Sequence, residues 1–163
     1  MENDFWTSVD IKQFFKLDER NKSINSIYNA EAKGDIPKAE RISRGKVNVR
    51  TWTIEDIPKI GEKFGFLPKN QSQKILCKYI QKGGVLKTTS TFNEARIFAL
   101  NGLKTLVIGL DFECSITEII QPRKDIQTLG DGETYSGLYH YFYEKAPIKD
   151  IIIKTNLPTL DII

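Results

Sequence analysis

Lys82, Gly83, Gly84, Lys87 and Thr88 fall within seven residues of one another in the stretch "QKGGVLKTTS", 81–90. These residue types, in this order, suit the capture of a phosphate. Glycines let the backbone come close enough for successive N–H groups to converge on an anion, and a following helix N-terminus adds its dipole. A lysine then neutralises charge on the β and γ phosphates, and a hydroxyl one residue later binds magnesium. Gly83, Gly84 and Lys87 are therefore candidates for the nucleotide and Thr88 for the metal. The standard pattern G-x-x-x-x-G-K-[ST] is not met, because Gln81 and Leu86 stand at its two glycine positions. If the backbone at Leu86 is strained, the expected cost is of order 1–3 kcal/mol.

Such a loop needs a strand before it and a helix after it. Upstream, "KILCKYIQKGG" predicts a short apolar strand over 75–80. Downstream, "KTTSTFNEARIFALNG" predicts a helix ending at Gly102, with Ala95, Phe98 and Ala99 toward a sheet. "LKTLVIGLD" reads as a second buried strand ending at Asp111, which completes a βαβ unit with a right-handed crossover. "QPRKDIQTLGDGETYSG" is loop-like, "LYHYFYEKAP" is a short aromatic helix containing His140, and "IKDIIIKTN" is a third strand.

The character differs before "FLPKNQSQ", 66–73, which is a linker. "TSVDIKQFFKL" is a helix capped by Thr7 or Ser8. A second, polar helix carries Ile24, Ile27 and Tyr28 on one face and stops at Gly34 and Pro37. "KAERISRGKVNVRTWT" reads as a hairpin turning at Ser-Arg-Gly, and "TIEDIPKIGEKFGFL" as a helix from a Thr53 cap. From Lys33 to Arg50, Lys33, Lys38, Arg41, Arg44, Lys46 and Arg50 face Asp35 and Glu40, a balance of +4. A basic hairpin beside a polar helix offers cations to DNA phosphates, with Lys22, Asn25, Lys38, Arg41, Arg44, Lys46 and Arg50 as candidate contacts. A solvated helix-hairpin unit that binds protein, or nothing, fits the same charges.

The whole chain of 163 residues is 40% apolar and 28% charged with net charge +3, ordinary for a globular protein of one or two domains. No apolar run approaches the roughly 20 residues of a membrane span. The acidic start "MENDFWTSVD" is not a signal peptide. Cys77 and Cys114 lie in or just after apolar runs and read as buried thiols of a reducing compartment. One histidine and two cysteines leave a zinc site almost without ligands.

The loop resembles the deviant phosphate loop K-G-G-x-G-K-[ST] of ParA-type partition ATPases, the MinD/ParA group, including the extra lysine at Lys82. Gln81, Thr89 and Asn93 fit the same pattern. "LKTLVIGLDFECSIT" resembles the family's second motif, D-L-D-P-Q-x-N-x-T: Asp111 and Thr117 match, while Gly109, Phe112, Glu113 and Ser115 depart from it. "GDIPKAER" and "RTWTIEDI" are similar to the MerR-like region of many plasmid ParA proteins. The resemblance implies an α+β architecture: a winged helix-turn-helix module over 1–68, then the incomplete start of a P-loop α/β three-layer ATPase domain over 69–163. It implies ATP and Mg2+ as ligands, held by Gly83, Gly84, Val85, Lys87, Thr88 and Thr89, with Thr88 on the metal. Lys82 would reach the nucleotide of the second subunit in an ATP-dependent homodimer, and Asp111 would position the attacking water. It implies DNA and a ParB-type centromere-binding protein as partners, and a cytoplasmic place on nucleoid or plasmid. Leu86, Gly109 and the stop at Ile163 predict a truncated member with weak nucleotide binding and little hydrolysis. Such a sheet would leave Ile151, Ile152, Ile153, Ile162 and Ile163 short of cover. The alternative is a non-enzymatic DNA-binding repressor with a degenerate ATPase remnant.

Overall fold

The computed structural model describes residues 5–45, 47–69, 72–79, 81–110, 115–120 and 137–163. They fall into two compact units, Met1–Lys69 with Leu100–Leu103, and Asn70–Ala99 with Lys104–Ile163.

In the first unit, Thr7 ends strand β1 (Phe5–Thr7) and caps helix α1 (Ser8–Phe14). Its hydroxyl accepts from the Asp10 amide while the Asp10 carboxylate accepts from the Thr7 amide, a reciprocal box that fixes the first turn. A 3₁₀ turn (Asp18–Arg20) leads to α2 (Ile24–Ala32), which ends before Gly34 at φ +75°. Strands β2 (Glu40–Arg44) and β3 (Val47–Thr53) pair antiparallel, and β1, not foreseen in the sequence, adds to the other edge of β3. Helix α3 (Ile57–Phe64) starts later than its expected Thr53 cap. The Asp56 carboxylate instead accepts from the Thr53 amide and hydroxyl at 3.0 and 3.1 Å, closing a turn. Pro58 falls in the first helical turn, where no N–H is needed.

Ile11, Phe15, Leu17, Ile27, Trp52, Ile57 and Ile60 form the core of this unit, each at most 1% exposed. Full burial of one such side chain is worth about 1.5–3 kcal/mol. The Trp52 indole N–H donates to the Pro37 carbonyl at 2.8 Å, so its polar edge is satisfied inside. Asn101 belongs to this unit, and its Oδ1 accepts from the Phe66 amide at 2.8 Å.

In the second unit, residues 72–79 form no strand, contrary to expectation. Apolar β-branched composition does not make a strand without a neighbour to pair with. Ile75 and Tyr79 are therefore 90% and 75% exposed, and Cys77 is exposed where a buried thiol was expected. Cys114 lies outside the described residues. Helix α4 (Lys87–Leu100) follows the loop and ends before Gly102, at φ +83°, as expected. Strand β4 (Thr105–Val107) is shorter than its apolar run and is buried only at Val107. Helices α5 (Ser115–Ile120), α6 (Leu138–Phe142) and α7 (Ile148–Ile151) precede β5 (Ile153–Lys154) and β6 (Leu160–Ile162). The sheet order is β4-β6-β5, with β4 parallel and β5 antiparallel to β6.

Four of the five C-terminal isoleucines are not short of cover. Ile151, Ile153, Ile162 and Ile163 are buried, Ile162 in the central strand β6, and Ile152 is half-buried. The Thr155 hydroxyl locks the connection, donating to Leu160 O at 2.8 Å and accepting from the Leu157 amide at 3.1 Å. No described helix is long and apolar enough to cross a membrane.

Candidate nucleotide-binding site

The glycine loop runs through 81–86 and meets α4 at Lys87. Gly84 sits at φ +69°, and a side chain there or at Gly83 would meet open space within 4 Å. The cradle is thus open for a ligand to approach the backbone. Leu86 holds φ +59°, a left-handed conformation suited to glycine and unfavourable for a branched residue. Its side chain is 70% exposed. Gly83, Gly84, Val85, Leu86, Lys87, Thr88, Thr89 and Ser115 line a cavity of about 320 Å³. The expected phosphate-binding residues are therefore brought together.

Within the loop, the Lys87 ammonium donates to the Lys82 carbonyl at 3.3 Å, while the Lys82 side chain is exposed. The Ser90 amide donates to Leu86 O at 2.9 Å, opening the α4 hydrogen-bond ladder. Two residues join the site without having been read as site residues in the sequence, where Ser115 figured only as a departure from the second motif. Ser115 enters the cavity wall from the start of α5, in a motif position where it departs from the family pattern. Lys78 ties the unpaired segment to α4 through the Ser90 hydroxyl and through Glu94 Oε1 at 2.7 Å. A lone lysine in an apolar run gives no sequence signal for that tether. Asp111 lies outside the described residues. A Cβ at Gly109 would stand 2.9 Å from Ile116 Cγ2, so the departure from aspartate here coincides with a close backbone approach. Among the described residues no cluster of His, Cys, Asp or Glu could hold a metal ion.

An AAA-domain family model matches residues 73–163. The chain belongs to the ParA/MinD-type partition ATPase family. Relatives include the chromosome partitioning protein ParA of Caulobacter vibrioides, 36% identical over 93 residues, 55% of this chain and 31% of that protein. A putative replication protein A of Rhizobium rhizogenes is 33% identical over 84 residues, 50% of this chain and 20% of that protein. Another from Sinorhizobium fredii is 26% identical over 147 residues, 82% of this chain and 34% of that protein. This ParA-type chain thus spans between a fifth and about a third of the length of the curated relatives it matches. No solved structure matches it.

The candidate DNA contacts of this ParA-type chain all lie in its first unit, with unequal freedom. Asn25, Lys38 and Arg41 are exposed. Lys22 lies with its ammonium 5.5 Å from the Phe64 ring centroid. Arg44 is paired with Val47 in the hairpin register, and Lys46 lies outside the described residues. Arg50 is committed inward. Its guanidinium stacks 4.1 Å from the Tyr28 ring, and its Nε lies 3.0 Å from Glu31 Oε2, an ion pair off the hydrogen-bond line.

Proposed function

We propose that this chain is a DNA-binding ParA-type protein whose nucleotide loop is weakened, without being abolished, by Leu86. The observation that carries the reading is the left-handed Leu86 at φ +59°, directly before Lys87 in an otherwise open phosphate cradle. The backbone N–H groups of Gly83, Gly84 and Val85 would face phosphate oxygens. Lys87 would exchange the Lys82 carbonyl for phosphate, and Thr88 would bind Mg2+ beside Thr89. ATP supplies the hydrolysable phosphoanhydride when bound. The exposed Lys82 is free to reach a second subunit, and Asp111 is proposed, on the motif alone, to orient water. The helix, turn, helix and hairpin of the first unit support a winged helix-turn-helix reading, with Asn25, Lys38 and Arg41 presented to DNA. A ParB-type partner, an ATP-dependent homodimer and a cytoplasmic, nucleoid- or plasmid-bound location belong to the same proposal.

The test is a titration with a fluorescent ATP analogue and Mg2+. Saturable binding that Lys87→Ala abolishes and Leu86→Gly strengthens about tenfold, some 1.4 kcal/mol, supports the reading. Binding that ignores both substitutions sinks it. A second reading, a DNA-binding repressor with a passive remnant, is favoured by the unpaired 72–79 segment before the loop. DNA affinity that is identical with and without Mg2+ and ATP selects that reading.

A further inference from the structure

The 3₁₀ turn before α2 and the end of α3 meet around Phe64. The Arg20 guanidinium donates through Nη1 to the Phe64 carbonyl, and to the Gly65 carbonyl at 3.2 Å. Lys22 places its ammonium over the Phe64 ring, and Lys69 follows a few residues on. The neighbouring charges are already used. Lys12 pairs with Asp18 at 2.9 Å, Lys16 with Glu19 at 3.9 Å, and Lys63 with Asp35 at 2.9 Å. Carbonyls accept hydrogen bonds from Arg20 but cancel none of its charge. Neither Arg20 nor Lys22 is bound to a carboxylate in these contacts, and Glu62 is the carboxylate acting on Lys69. Lys69 registers the crowding. Its ammonium is held below its ordinary pKa, first by partial burial, with Glu62 opposing and Lys63, Arg20 and Lys22 adding repulsion. Like charges gathered on one face repel one another and raise a positive potential that attracts a polyanion.

We propose that Arg20, Lys22 and Lys69 form a second phosphate-binding patch for duplex DNA, at the turn leading into α2 and apart from the hairpin cations. The patch adjoins the start of α2, where Ser23 makes no side-chain cap and no acidic residue occupies the first turn. The exposed Asn25 lies in that first turn. Arg41 on the hairpin and this patch then grip the backbone from the two elements that flank α2 in the chain. The inference rests on the DNA-binding reading above. It adds Arg20 and Lys69, which charge density between Lys33 and Arg50 could not point to.

The experiment is fluorescence anisotropy of the full chain with a labelled random-sequence 30-base-pair duplex, across a salt series, in the absence of nucleotide. Arg20 is left intact because it also caps α3. Removing one cation from a phosphate should flatten the slope of log K against log salt by about 0.9. Lys22→Gln with Lys69→Gln should therefore flatten it by about 1.8 and weaken binding at low salt, with Lys69→Arg retaining affinity. Lys12→Gln, already paired, should leave the slope alone. If Arg41→Gln weakens binding but the double variant keeps the wild-type slope, the patch is wrong and the DNA reading stands. If the wild-type chain fails to bind the duplex at all, the DNA reading falls and takes the patch with it. Circular dichroism separates a weakened interface from an unfolded variant.

Discussion

Leu86 sets the behaviour of the loop through its backbone more than through its side chain. A left-handed conformation costs an L-residue roughly 1–2 kcal/mol. Glycine relieves that cost but frees the unfolded chain by about 0.4–1 kcal/mol. The side chain is 70% exposed, so little burial is at stake. Leu86→Gly should therefore raise stability in urea by between nothing and about 1.6 kcal/mol, and a gain in nucleotide affinity that exceeds the gain in stability places the defect in the cradle. An equal gain in both would locate the defect in folding and not in the cradle. Arg50 is the opposite case. Its charge is spent on Glu31 and Tyr28, and Glu31 also accepts from the Ala39 amide at 3.0 Å. A partly exposed ion pair and a cation–π contact are each worth up to about 1 kcal/mol. Arg50→Ala should lower stability by about 1 kcal/mol and change the salt slope of DNA binding less than Arg41→Ala does. A larger slope change for Arg50 would return it to the interface. Lys69 adds a pH dependence. Its lowered pKa means the destabilising charge is fully present below the folded value and is gone above the unfolded one. Lys69→Gln should raise the melting temperature at neutral pH, with the gain disappearing in strong alkali but persisting in high salt, because its leading cause is burial and salt screens only the charge contributions.

At the scale of elements, close packing separates one glycine from another. A Cβ at Gly61 would lie 2.0 Å from the Leu100 carbonyl and 2.7 Å from the Asn101 carbonyl carbon, all backbone. Nothing flexible can yield there. Gly61→Ala should cost about 3 kcal/mol, the upper end for overpacking, read as a fall in the urea midpoint. Gly84→Ala meets open space and should cost only the left-handed strain, about 1–2 kcal/mol. Equal costs would mean that the backbone at 100–101 moves. Elements with strong local signals were legible in the sequence: the α1 cap at Thr7, the stop at Gly34, the hairpin over 40–53 and the length of α4. Elements that depend on a partner were not. The run Ile75–Tyr79 has strand composition but no strand partner among the described residues, whereas β1 and β6 form because β3 and β4 offer edges to them. The loop cavity was legible because its residues are contiguous; the place of Ser115 in its wall and the tether from Lys78 to α4 were not, because only the fold makes those contacts.

At the scale of the molecule, the first unit is not a contiguous piece of chain. It includes Leu100–Leu103, the last residue of α4 and the three that follow it. Asn101 is 2% exposed and accepts the Phe66 amide, and the surface of α3 at Gly61 is shaped to the backbone at 100–101. A fragment ending at Lys69 would leave the Phe66 amide without that acceptor and uncover α3 at Gly61. Phe66 is itself exposed, so water replaces that acceptor and the lost hydrogen bond is worth only about 0.5–1.5 kcal/mol, to which the lost packing against α3 adds. The fragment 1–69 should therefore unfold at least about 1 kcal/mol more readily than the same residues in the full chain, measured by urea denaturation followed through tryptophan fluorescence. Its DNA affinity should fall at temperatures where the full chain still binds. If the fragment matches the full chain in both stability and affinity, the 100–103 segment is an accessory to the fold, and the DNA-binding unit ends where its linker begins.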